Sequence, residues 1–148
     1  AIHVLFNATS LKEPATLAAA CAHGLVGAMQ RAAAAAAAPT PGGGSTDGLA
    51  LACATLTNLA EGCTEACEHL VRDGDGAGLV LSLLSSPSND ADVRGAAATL
   101  LLALCSHEQS RGAMLRAGGR RALEEVATAS WSSEVISARA KQALHEIG

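Results

Sequence analysis

The sequence predicts an all-α chain, and three observations carry that prediction. Almost half of the residues are apolar, yet the aromatics are Phe6 and Trp131 and there is no Tyr. The apolar mass is Ala, Leu, Val and Gly, which suits helices packed closely through many small contacts, whereas a sandwich or barrel draws on Val, Ile, Thr, Tyr and Phe. Apolar residues also recur at spacings of three and four between short clusters of Gly, Asp, Ser and Pro. At 148 residues the chain suits one domain, residues 1–148.

Residues 1–31 carry partial repeats. The run Ala32–Ala38, followed by Pro39-Thr40-Pro41-Gly42-Gly43-Gly44-Ser45-Thr46-Asp47, is a helix end passing into a flexible loop over 32–47. Asp47 is placed to cap a helix from Gly48 to about Ala60, with Leu49, Ala52, Leu56 and Leu59 on one stripe, and Glu61-Gly62 stops it. Thr64 then opens a short helix carrying Ala66, Cys67, Leu70 and Val71, which Asp73-Gly74-Asp75-Gly76 ends. Leu79-Val80-Leu81-Ser82-Leu83-Leu84 forms the next, closed by Ser85 to Asp90. Another begins at Ala91 or Asp92 and carries Val93, Ala97, Leu100, Leu101 and Leu104. Helices this short need stacking neighbours to be stable.

Those neighbours are copies. Sliding the chain by 44 residues lays Ala54–Ser86 on Ala98–Ser130 without a gap, with identities at Ala54/Ala98, Thr55/Thr99, Leu56/Leu100, Arg72/Arg116, Gly74/Gly118, Leu79/Leu123 and Ser86/Ser130. In a chain so rich in Ala and Leu the punctuation counts for more. In both copies an apolar pair (Leu70-Val71, Met114-Leu115) precedes Arg, one residue, and Gly. Val135–Ile147 follows Asp92–Leu104 at an offset of 43, and pairing Leu59 with Leu104 needs 45, so the register stays open by one residue. Repeats thus occupy 48–90 and 91–130, and a final helix lies within 131–148. Upstream, Gly24-Leu25-Val26 matches Gly78-Leu79-Val80 and Leu5-Phe6-Asn7 matches Leu56-Thr57-Asn58 in pattern.

The string Ala54-Thr55-Leu56-Thr57-Asn58-Leu59-Ala60, then a short helix, Gly74, and Leu79-Val80-Leu81-Ser82-Leu83-Leu84-Ser85-Ser86, resembles the armadillo repeat. HEAT repeats are the close alternative, and the glycine turns at Gly74 and Gly118 favour armadillo. The resemblance implies a right-handed superhelical solenoid of about three three-helix repeats, a piece of a longer array. It also implies that the third helices line a concave groove for partners, where an asparagine bonds the backbone of an extended peptide. That role falls on Asn58 and on Asn7. An amide offers a peptide unit both a donor and an acceptor. The pattern departs from the peptide-binding subfamily. Ala54 and His3 stand where a tryptophan is typical, the next unit has Leu102 or Ala103 at the amide position, and the last has Glu146.

Other constellations carry less. Cys63, Cys67 and His69, with His107 in the next unit, form the nearest approach to a metal set, but structural zinc favours paired Cys-x2-Cys turns and Cys67 falls on the apolar stripe. The odd total of five cysteines in apolar surroundings points to free thiols in a reducing compartment. Arg111, Arg116, Arg120 and Arg121 form a small basic cluster, of which Arg120 and Arg121 are candidates for docking an acidic partner. Glu124 and Glu125 follow at helical spacing and can neutralise it. Trp131 is expected to anchor packing. The net charge of −4 and the lack of interleaved aromatics argue against nucleic acid. The longest apolar run, Ala96–Cys105, is about half of what a membrane span needs. Asn7-Ala8-Thr9 fits a glycosylation acceptor but lacks a secretory signal. No phosphate loop, nucleophile elbow or Ser/His/Asp set appears, so neither a cofactor nor a small-molecule substrate is expected. The sequence thus points to a non-catalytic scaffold binding other proteins within a large intracellular assembly, cytoplasmic and cytoskeletal or ciliary in setting. A peptide-binding transport or signalling adaptor, and a regulatory segment of a larger enzyme, are the alternatives.

Overall fold

The structure, a computed structural model, describes Gly27 and residues 46–62, 64–72, 76–85 and 91–147. Among these residues the fold is all-helical, with seven helices and no strand. They are α1 (Thr46–Gly62), α2 (Thr64–Arg72), α3 (Gly76–Ser85), α4 (Ala91–Ser106), α5 (Glu108–Arg116), α6 (Gly119–Thr128) and α7 (Glu134–Ile147). The expected boundaries of α1 hold within two residues, whereas α3 begins at Gly76, three residues before the expected Leu79. Asp47 and Thr64, expected as caps, fall inside their helices, and Thr46 and Asp47 leave the expected loop to join α1. The remainder of that loop, the partial repeats over 1–31 apart from Gly27, and Gly74 lie outside the described residues. Among the described residues no helix is long and apolar enough to cross a membrane.

Each helix packs on its counterpart three elements further on. α1 lies on α4 and α4 on α7, α2 lies on α5, and α3 lies on α6. Within a unit, consecutive helices also touch. The core runs along these columns, with Leu56, Leu59, Leu70, Val80, Leu83, Leu100, Leu101, Leu104, Met114 and Leu123 all but sealed from solvent. α4, with a neighbour on either side, is buried around nearly its whole circumference, as an all-round apolar helix must be.

Burial settles the open register, and it differs between columns. α1 matches α4 at an offset of 45. Buried Ala52, Cys53, Leu56, Leu59 and Ala60 fall on buried Ala97, Ala98, Leu101, Leu104 and Cys105, while half-buried Ala54 falls on half-buried Thr99. α2 and α5 start 44 residues apart, at Thr64 and Glu108. α3 matches α6 at 43, pairing Val80 with Leu123, Leu83 with Val126 and Leu84 with Ala127. The second unit is therefore one residue shorter at the end of its long helix and one shorter at its glycine turn. Four of the seven identities found by the uniform slide (Ala54/Ala98, Thr55/Thr99, Leu56/Leu100 and Leu79/Leu123) are consequently out of step. Arg72/Arg116 stays in step, and Gly74/Gly118 and Ser86/Ser130 each have one member outside the described residues.

The turn between α5 and α6 shows why glycine punctuates. Gly118 has φ +106°, a left-handed conformation that a side chain disfavours. Gly119 is excluded from carrying a side chain by space instead: a Cβ there would meet the Met114 carbonyl oxygen at 2.6 Å. The amides of Ala117 and Gly118 donate back to the carbonyls of Ala113 and Leu115, closing α5.

Candidate functional site

Three features bear on function: the column formed by α1, α4 and α7, the ends of its helices α1 and α4, and a cleft between α3 and α6.

In the first column Asn58 sits half-buried on α1, between Thr57 and Leu59, both buried. The nearby hydroxyls turn inward. Thr55 donates to the Leu51 carbonyl at 2.8 Å, Thr57 to Cys53 at 2.8 Å, and on α4 Thr99 to Gly95 at 2.9 Å. Such bonds to the preceding turn satisfy the hydroxyl within its own helix. At the 45-residue offset the counterpart of Asn58 is Ala103, 1% exposed, with Leu102 beside it at 5%. The next counterpart, Glu146, is exposed. No row of amides runs along this column among the described residues. Asn7 lies outside them.

The junctions absorb several residues that had looked like chemistry. The last carbonyls of a helix lack partners within it, and neighbouring helices supply them. The Cys67 thiol donates to the Ala60 carbonyl at 3.2 Å, and His107 Nε2 donates to the same oxygen at 2.9 Å. This one oxygen at the end of α1 is thus held from α2 and from the residue that opens α5. Cys67 and His107, the heart of the candidate metal set, are brought together, but as pegs of a helix end. Cys67 is fully buried, as core packing required. Cys63 and Cys21 lie outside the described residues, and the remaining described cysteines, Cys53 and Cys105, are free and buried.

At the equivalent end of α4, Arg111 Nε donates to the Cys105 carbonyl at 2.7 Å and its Nη2 reaches Ser106. Ser110, itself fully buried, donates to the Leu104 carbonyl. Arg111 therefore leaves the expected basic cluster: it stands where Cys67 stands one unit earlier and does the same work. Its charge hid that role, because nothing in a lone arginine's sequence position distinguishes a cap from a surface cation. Burial pushes the thiols of Cys53 and Cys105 up from 9.0 to about 11, and the Arg111 guanidinium offsets part of the rise at Cys105.

Arg120 and Arg121 are exposed on α6. Arg120 pairs with Glu124 at 3.5 Å and Arg121 with Glu125 at 3.3 Å, the neutralisation that helical spacing anticipates. The two arginines diverge in surroundings. Arg121 lines a cleft of about 760 Å³ between α3 and α6, together with Leu81, Leu84, Arg94, Glu125 and Trp131. The Arg94 guanidinium lies over the Trp131 ring, 6.0 Å from its centre. Trp131 packs partly buried against the core, as an anchor should, and also presents its ring to this cleft. Sequence reasoning missed the cleft because its parts come from three helices and two turns. The signal available was a single tryptophan close to a basic cluster.

A scan against protein-family models and a search of curated proteins return no match to this chain.

Proposed function

We propose that this chain is part of a right-handed superhelical solenoid of the armadillo type and works as a non-catalytic protein-binding scaffold inside a large intracellular assembly, cytoskeletal or ciliary in setting. The carrying observation is the packing of each helix on its counterpart three elements on, which is how stacked three-helix units bury a face that none of them could bury alone. The conserved job at each junction, done by Cys67 in one unit and Arg111 in the next, supports the same reading. Buried free thiols fit a reducing compartment. Among the described residues no amide follows Asn58 along its column, which disfavours an adaptor that grips extended peptides by a repeated contact and favours broad surface contact with folded partners.

The test is to isolate the protein from its native source, size its complex and identify its neighbours by cross-linking mass spectrometry. A large particle with fixed stoichiometry is the expected result. Recovery as a small complex exchanging one cargo, with the cargo lost on changing Asn58→Ala, would replace the scaffold with an adaptor. A catalytic domain elsewhere in the full chain would make this segment a regulator of that enzyme.

A further inference from the structure

We infer, on the solenoid reading above, that the outer faces of α6 and α7 close the stack: no further unit packs on this one, and its outer face stays in water.

The preceding unit shows what a covered face requires. α3 packs against α6, and α4 packs against α7. On α3 the side toward α6 carries Leu81, which lines the cleft between them, and one turn earlier Ala77, which is buried. On α4, Ala98, Leu102 and Ala103 are all buried. α6 starts 43 residues after α3, and α7 starts 43 residues after α4. The counterparts are therefore Arg120 and Glu124 on α6, and Lys141, His145 and Glu146 on α7, and every one of them is exposed. Apolar side chains in one unit have become ionisable ones in the next, in two columns at once.

These groups are settled at the surface. Arg120 and Glu124 pair with each other at 3.5 Å, with side chains 57% and 56% exposed, and Glu146 accepts a hydrogen bond from Gln142 at 3.2 Å. A helix pair stacked here as α6 and α7 stack on α3 and α4 would strip water from the ion pair and from three further ionisable groups. That desolvation costs more than an apolar contact returns. The end of a repeat array, by contrast, needs a polar outer face. Val135 is 69% exposed, but its counterpart Asp92 is exposed on α4 as well, where α7 is already stacked. Val135 therefore stands off the stacking face.

The test uses the full-length protein, freed of partners in high salt and isolated as a single species. Acetic anhydride labels accessible lysines, and mass spectrometry reads Lys141. The expected rate in the folded protein lies within about tenfold of the rate in urea, and slower labelling would overturn the inference. A second measurement gives the end face the residues of the preceding unit: Arg120→Ala, Glu124→Leu, Lys141→Ala, His145→Leu and Glu146→Ala together. An uncovered apolar end should make this variant associate, its mass in sedimentation rising with concentration while the parent stays single. A variant that keeps its helices by circular dichroism and stays single would mean that another unit already covers the face. Neither measurement bears on the size or composition of the native complex, which tests the scaffold reading.

Discussion

α4 and α7 occupy the same place in successive units, yet they differ in what surrounds them. α4 packs against α1 on one side and α7 on the other, and Val93, Ala97, Ala98 and every residue from 100 to 105 are buried. α7 packs on α4 and α6, and only Ala140 is fully buried, while Ile136, Ala143, Leu144 and Ile147 are partly covered and Val135 is 69% exposed. The sequences follow the surroundings: α7 carries Arg139, Lys141, His145 and Glu146 where α4 carries Ala96, Ala98, Leu102 and Ala103. A helix in this fold therefore draws its stability from the neighbours stacked on it, more than from its own sequence.

The largest expected effect tests that statement directly. Leu101 in α4 is fully buried, and Leu144, its counterpart, is half-buried. Leu101→Ala should cost about 3 kcal/mol, and Leu144→Ala about 1 kcal/mol, because the second site can relax toward solvent. Urea unfolding followed by circular dichroism measures both. Equal losses would mean that α4 owes its stability to something other than neighbours on both sides.

Alkali should sharpen the contrast between the columns' inner helices and α7. Cys53 lies on α1 and Cys105 on α4, and both thiols are raised from 9.0 to about 11 by burial. A raised thiol favours the folded state while protonated. Its contribution is whole below pH 9, where the unfolded thiol is also neutral, and is lost as pH climbs from 9 through 11. Between pH 8 and pH 10 the two together should cost on the order of 2 kcal/mol. The chain has no tyrosine to titrate in the same range. Stability under reducing conditions should fall less in the Cys53→Ala, Cys105→Ala double variant; parallel losses in parent and variant would show that the thiols are not the source.

How far the sequence foretold this can be judged helix by helix. Glu61-Gly62, Ser85 and the Gly118 turn marked their boundaries within two residues, because glycine and short polar residues act locally. Register was the part the sequence withheld. A helix built of Ala and Leu matches its copy at several shifts, and only burial shows that Leu56 answers to Leu101 and not to Leu100. The candidate site fared similarly. The ion pairs of Arg120 and Arg121 followed from spacing along one helix, whereas Arg111 on α5 holds the end of α4, and Trp131 lies in a cleft between α3 and α6.

The turn that aims α6 at α7 provides the next step down in size. Gly119→Ala should destabilise by about 2 kcal/mol, since the added Cβ would meet backbone at the Met114 carbonyl and the helix must shift. Gly118→Ala should cost about 1 kcal/mol from its left-handed backbone alone, as nothing lies within 4 Å of its Cβ. Thermal unfolding of the two variants should therefore rank Gly119→Ala below Gly118→Ala. The reverse order would place the constraint in backbone conformation and not in close packing.

The smallest effect compares the two ion pairs on α6. Arg120–Glu124 and Arg121–Glu125 are exposed pairs of identical spacing, with side chains more than half open to solvent. Each should contribute about 0.4 kcal/mol at low salt and less as salt screens it. Double-mutant cycles to alanine, run in dilute buffer and again near 1 M salt, should return the same small coupling for both pairs. Equality is the informative outcome: it would show that the two pairs, alike in spacing on the same helix, hold the fold alike although Arg121 lines the cleft. A coupling above about 1 kcal/mol for Arg121–Glu125 alone would mean that the cleft shields that pair from solvent.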